Sequence, residues 1–151
     1  MPRKARYTPG GLVYHVLNRA VAKLPLFRKE ADYAAFERIM IEAQERHPTR
    51  LLAWCLMKNH WHFVVWPRRD DELTAFMRWL AHTHAMRWHV AHGTVGRGPL
   101  YQGHFKRFPL EGMGRPDFIW QKPSTDAIKM WRGRIPASTS SEPEDFLNFF
   151  P

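Results

Sequence analysis

His60 and His62, in the stretch LMKNHWHFVVWP, are two imidazoles one residue apart inside an apolar run. Along a strand, side chains alternate across the sheet, so His60, His62 and Val64 project to one side while Trp61, Phe63 and Val65 project to the other. The bulky row belongs against a helical layer. The histidines then face the open side, with Cα atoms roughly 7 Å apart, near enough for both rings to reach one ion. Two imidazoles beside water leave a coordination sphere to be filled by a third ligand and by substrate oxygens. That suits catalysis better than a closed structural zinc site. Spacing alone leaves two other readings open. Both rings can be ordinary polar residues on the wetter face of an edge strand, or a zinc site can be completed by Cys55 or His47, without the paired cysteines that mark such sites.

The elements that must carry these rings follow from hydrophobic period. After Pro9-Gly10-Gly11, LVYHVLNR reads as a first strand. Tyr33, Phe36, Met40 and Ala43 recur at helical spacing from about Lys29 to His47, and Pro48 stops the pattern. RLLAWCLM is apolar on both faces, as in a central strand; WHFVVW follows a polar turn at Lys58-Asn59, so the two pair as a hairpin. Asp70 is expected to cap a second helix, with Asp71 and Glu72 at its positive end and Leu73, Phe76, Met77 and Leu80 as its stripe through about Ala91. The loop HGTVGRGP leads into HFKRFPL as a final strand. The order βαββαβ predicts an α+β, ferredoxin-like fold: an antiparallel sheet with two helices on one face, followed by an irregular C-terminal tail. Trp54, Trp61, Trp66, Trp79 and Trp88 read as packing residues, as do Tyr14 and Tyr33. His82, His84, His89 and His92, on or just after the second helix, read as surface residues.

Charge names the class of partner. The 151-residue chain carries a formal charge of +9 and has a pI of about 10.2, so nucleic acid is expected ahead of an anionic membrane surface. Residues 112–151 hold five basic and five acidic side chains, leaving eighteen basic and nine acidic residues in 1–111. The whole excess therefore lies in the first part. Arg3, Lys4 and Arg6 in the N-terminal arm, Arg19 after the first strand, Arg97 in the glycine loop, and Lys106 and Arg107 on the last strand are candidate DNA contacts, with exposed aromatics such as Tyr101 available for base stacking. The single cysteine, Cys55, cannot form an internal disulfide, the N-terminus lacks a signal-peptide core, and no apolar run has the length of a membrane span. A cytoplasmic, nucleoid-associated protein of bacterial type is expected, without a membrane partner.

Three ordered stretches, YHVLNRA, LLAWCLMKNHWHFVVWP and GRGPLYQGHFKRFPLE, resemble the successive signatures of the HUH-type tyrosine transposases, most closely the REP-associated branch related to small insertion-sequence transposases. The resemblance covers about residues 2–111, which separates a transposase-like domain, 1–111, from an atypical tail, 112–151. It implies that the pair in His60-Trp61-His62 binds a divalent ion, Mg²⁺ or Mn²⁺, that polarises the scissile phosphate of single-stranded DNA. A tyrosine then attacks, leaving a 5′-phosphotyrosine and a free 3′-hydroxyl, so the bond energy is kept for rejoining. The substrates it implies are palindromic elements, such as REP elements, folded as hairpins and cut or joined in their single-stranded flanks. A monomer or homodimer is expected.

The nucleophile is where the sequence departs from the family pattern. Such transposases carry the tyrosine on a helix after the last strand, in a Tyr-x-x-x-Asn-Pro-like setting, whereas residues 112–151 contain no tyrosine. Prolines interrupt any helix there, and PASTSSEPED reads as disordered. The abrupt change suggests a frameshifted gene or a decayed copy. Of the four tyrosines, Tyr7 lies in the arm, Tyr14 and Tyr33 read as packing residues, and Tyr101 is the one near the sheet end. Tyr101 is therefore the candidate substitute nucleophile, although its position matches a family aromatic with another role. Two functions follow: a transposase that binds hairpin or single-stranded DNA and cleaves or joins it by metal-assisted transesterification, impaired by the missing tyrosine helix; or a non-catalytic binder of hairpin nucleic acid.

Overall fold

A computed structural model describes residues 7–110. Its elements run β1 (Tyr14–Arg19), a single 3-10 turn (Val21–Lys23), α1 (Glu30–Arg46), β2 (Arg50–Met57), β3 (His60–Trp66), α2 (Glu72–Ala91) and β4 (Lys106–Pro109). The strands form one antiparallel sheet in the order β2-β3-β1-β4. This is the expected α+β arrangement with both helices on one face. The arm residues 1–6 and the segment 111–151, which includes the tail, lie outside the described residues.

The alternation of β3 decides which face is which. Trp61, Phe63 and Val65 are each fully buried, while His60, His62, Val64 and Trp66 are half-buried. Phe36 of α1 packs on both rings, 6.1 Å from Trp61 and 6.2 Å from Phe63 between centroids. Phe76, Met77 and Leu80 of α2 close the same core without exposure. Burying each such side chain contributes about 1.5–3 kcal/mol, so a one-residue slip of β3 would trade a tryptophan and a phenylalanine for two imidazoles and is strongly disfavoured.

The hairpin that carries the histidines is held from below. Leu26 and Phe27 donate backbone N–H groups to the Lys58 carbonyl at 2.8 and 3.2 Å, and the Ala20 N–H donates to the Asn59 carbonyl at 2.9 Å. The loop after β1 thus clamps the β2–β3 turn immediately before His60. Trp88 adds an indole N–H bond to the Leu26 carbonyl at 2.9 Å, tying that loop to α2.

Three expectations are corrected. β2 lies at the sheet edge, not at its centre; a bulge between Leu51 and Ala53 breaks its alternation, so that Leu51, paired with Val65, and Trp54, paired with Phe63, are buried on the same face three residues apart. Asp70 does not cap α2. Its carboxylate instead accepts the Gly10 N–H and the Tyr7 hydroxyl, each at 2.9 Å, and Asp71 precedes the helix in the left-handed region at φ 62° without a side-chain cap. His84 is buried rather than exposed, because the α2 stripe continues past Leu80 in steps of four through His84 to Trp88. Of its companions, His82 is exposed while His89 and His92 are half-buried.

Candidate metal and nucleic-acid site

His60 and His62 open onto the helix-free face with ring centroids 5.0 Å apart and planes at 79°. Each has its Nδ1 engaged. His60 Nδ1 meets Asn59 Oδ1 at 2.6 Å, and His62 Nδ1 meets His15 Nε2 at 2.9 Å. That leaves the Nε2 atom of each ring as its remaining donor toward an ion. Burial pushes the His62 imidazole down to about 4, helped by the neighbouring His15, His60 and Arg19; burial and Arg19 push His60 down as well. Both rings are therefore neutral near pH 7, the form in which imidazole ligates metal. Two neutral imidazoles with outer nitrogens available fit a divalent ion that completes its shell elsewhere. Among the described residues, no three side chains of metal-binding type gather about one point, so a third ligand from Cys55 or His47 is not assembled.

Cross-strand register fixes the rest of the face, because directly paired residues project to the same side. Arg19 pairs with His60, Leu17 with His62 and Lys106, and His15 with Val64 and Phe108. Arg19 and Lys106 are exposed there, and Phe108 is 51% exposed beside His15. Arg107, paired with Val16, belongs to the other side, where its guanidinium donates to the Tyr7 carbonyl at 2.9 Å. It ties down the N-terminal segment. Arg97 stands exposed in the loop between α2 and β4, off the sheet. Arg3, Lys4 and Arg6 fall outside the described residues.

The structure corrects the expectation for Tyr101. Its hydroxyl lies on the helix-covered side, accepting the Trp61 indole N–H at 3.0 Å and bonded to His84 Nδ1, and the residue is only 7% exposed. Burial raises its phenol well above the usual range. A group so placed can neither meet a phosphodiester beside His60 and His62 nor stack on a base. Tyr14 is likewise buried, with its hydroxyl on the Pro9 carbonyl at 2.8 Å; Tyr33 stacks on Phe27 at 4.7 Å. Tyr7, bonded to Asp70, lines an open groove of about 620 Å³ with Tyr14, Lys106, Arg107 and Phe108. The hydroxyls of Tyr7, Tyr14 and Tyr101 are thus all engaged away from the histidine pair.

Sequence reasoning missed two residues of this face. His15 and Phe108 alternate with Tyr14 and Arg107 at period two, and become visible once β1 is known to pair with both β3 and β4.

A split βαββαβ sheet with one helix-covered face and one open, histidine-bearing cationic face is the class that fold and site define. The profile of the family described as "Transposase IS200 like" matches residues 10–114, and the chain belongs to that family. Solved structures that share the fold include the following two. A REP-associated tyrosine transposase bound to a REP hairpin is 17% identical with a TM-score of 0.55, over 73% of this chain and 62% of its own. A Deinococcus radiodurans protein assigned as a transposase is also 17% identical, with a TM-score of 0.54 over 74% of this chain and 88% of its own. The chain thus spans less than two thirds of the REP-associated transposase. No curated protein is significantly similar to the sequence. Among the described residues, no helix is long and apolar enough to cross a membrane.

Proposed function

We propose that the chain binds single-stranded or hairpin DNA across the open face of its sheet, with a divalent ion between His60, His62 and a phosphodiester. The observation that carries this reading is the pair of imidazoles on one face of the sheet, ring centroids 5.0 Å apart, with Arg19 paired to His60 and the exposed Lys106 on the same face. Mg²⁺ or Mn²⁺ bound there would supply Lewis-acid polarisation of a phosphate oxygen. The chain's own groups bind and orient: Arg19 and Lys106 offer charge to flanking phosphates, and Phe108 offers a ring on which a base can stack. The REP hairpin held by the structurally similar transposase supports a folded, palindromic DNA partner.

The same geometry favours impaired catalysis. The attacking tyrosine must approach the phosphate in line from the histidine side, yet the tyrosine nearest the sheet end, Tyr101, is sealed in the core. With Tyr14 and Tyr101 buried and the exposed Tyr7 bonded to Asp70 rather than to the histidine pair, the described residues favour a DNA binder without strand cleavage. The test incubates the protein with Mn²⁺ and a fluorescent hairpin bearing a single-stranded flank. A native gel is expected to show a retarded complex, and a denaturing gel no covalent protein–DNA species. Any covalent species would overturn the impairment; its loss in Tyr101→Phe would also overturn the structural role given to Tyr101, whereas its survival would leave that role standing. Absence of retardation would overturn the binding function.

A further inference from the structure

We propose that His15 is a positioning residue for the ion site, accepting the Nδ1 proton of His62 so that the Nε2 lone pair of His62 is held ready for a divalent ion. This rests on the metal reading given above and adds a residue that motif spacing does not reveal. Imidazole ligands of metals commonly engage their second nitrogen with a fixed acceptor, which sets both tautomer and ring orientation. His62 has such a partner in His15, at 2.9 Å between Nε2 and Nδ1, and the rings lie nearly coplanar, with centroids 5.1 Å apart and planes only 12° apart, as an in-plane N–H···N bond requires. His60 has the equivalent in Asn59, at 2.6 Å. The two outer nitrogens are thus set by two different elements, the β2–β3 turn and β1.

The direction of the His15–His62 bond decides whether the site works. With the proton on His62 Nδ1, the Nε2 atom of His62 is a lone-pair donor; with the proton on His15 Nε2, the neutral His62 carries its hydrogen on Nε2 and cannot ligate. His15 is placed to act without itself ligating. It pairs diagonally with His62 across β1 and β3, opposite Val64, and Phe108 lies against it at 6.3 Å on the β4 side. Among the described residues, no three-histidine cluster about one ion is formed.

Two variants separate positioning from packing. His15→Phe keeps an aromatic ring but removes the acceptor; His15→Gln restores an acceptor oxygen without the ring. Ring ¹⁵N shifts of the ion-free full chain report the His62 tautomer, and depletion of the free Mn²⁺ electron-spin-resonance signal reports affinity. Wild type is expected to hold His62 as the Nδ1–H form. His15→Phe should lose that bias and weaken Mn²⁺ binding roughly 10- to 100-fold, with His15→Gln recovering most of it. An Nε2–H tautomer in wild type, or unchanged Mn²⁺ affinity in His15→Phe, would overturn the role of His15. Equal Mn²⁺ binding by wild type and His62→Ala would instead bring down the metal reading beneath it, while the tautomer spectrum still reported the His15–His62 bond.

Discussion

The His84–Tyr101–Trp61 chain shows how much one buried polar group can constrain. Three polar atoms on α2, β3 and the segment before β4 satisfy one another inside an aromatic core. Replacing Tyr101 with Phe leaves an indole N–H and an imidazole nitrogen unpaired, which should cost about 1–3 kcal/mol. Chemical denaturation checks this, and Mn²⁺ affinity should not move, because the site is on the other face. The same chain makes stability depend on pH. Burial lowers His84 from 6.5 to about 3, so between those values the unfolded state binds the extra proton. Its contribution is complete above pH 6.5 and is lost as the pH falls toward 3, at up to about 1.4 kcal/mol per pH unit for one proton. Denaturation midpoints at pH 7.5 and 5 should therefore differ, with the lower pH less stable. Equal midpoints would contradict the burial of a neutral His84.

At the scale of elements, the histidine face was legible because a strand's period of two is rigid. His60 and His62 could be assigned to the open side from Trp61 and Phe63 alone, and the βαββαβ order follows from two helical stripes separated by an apolar hairpin. What was not legible depended on partners distant in sequence. His15 gains meaning only when β1 lies beside β3, and Tyr101 only when the segment before β4 folds under β1 through the Ala20–Tyr101 bridge. Asp70 looked like a helix cap because its neighbours are acidic, but its carboxylate fastens the segment before β1 to the start of α2. Gly10 sits at that junction. A Cβ there would lie 2.5 Å from the Arg68 carbonyl oxygen, with backbone on the other contacts, so the side chain has nowhere to move. Gly10→Ala should destabilise the fold by about 1–3 kcal/mol, the usual cost of overpacking, read as a lowered melting temperature. An unchanged melting temperature would mean the segment is not docked against the loop that leads into α2.

The molecule as a whole separates its two sides by chemistry. One side of the sheet is spent on Phe36, Phe63, Phe76 and Trp61 to make a core; the other presents neutral imidazoles among cations. On the proposed function, the net charge of +9 would supply the long-range attraction to DNA and the open face its place. DNA affinity should fall steeply with salt, and Arg19→Ala or Lys106→Ala should each weaken binding across sequences and flatten the salt slope by about one unit. Arg107→Ala, whose side chain ties down the Tyr7 segment, should leave that slope nearly unchanged. The central claim is that ion and DNA meet at His60 and His62, and it is tested most directly by the coupling between them. Hairpin affinity is measured with and without Mn²⁺ at constant ionic strength for wild type and for the His60→Ala, His62→Ala double variant. Mn²⁺ should tighten binding by wild type several-fold and leave the double variant unaffected; an equal response from both proteins would contradict the account.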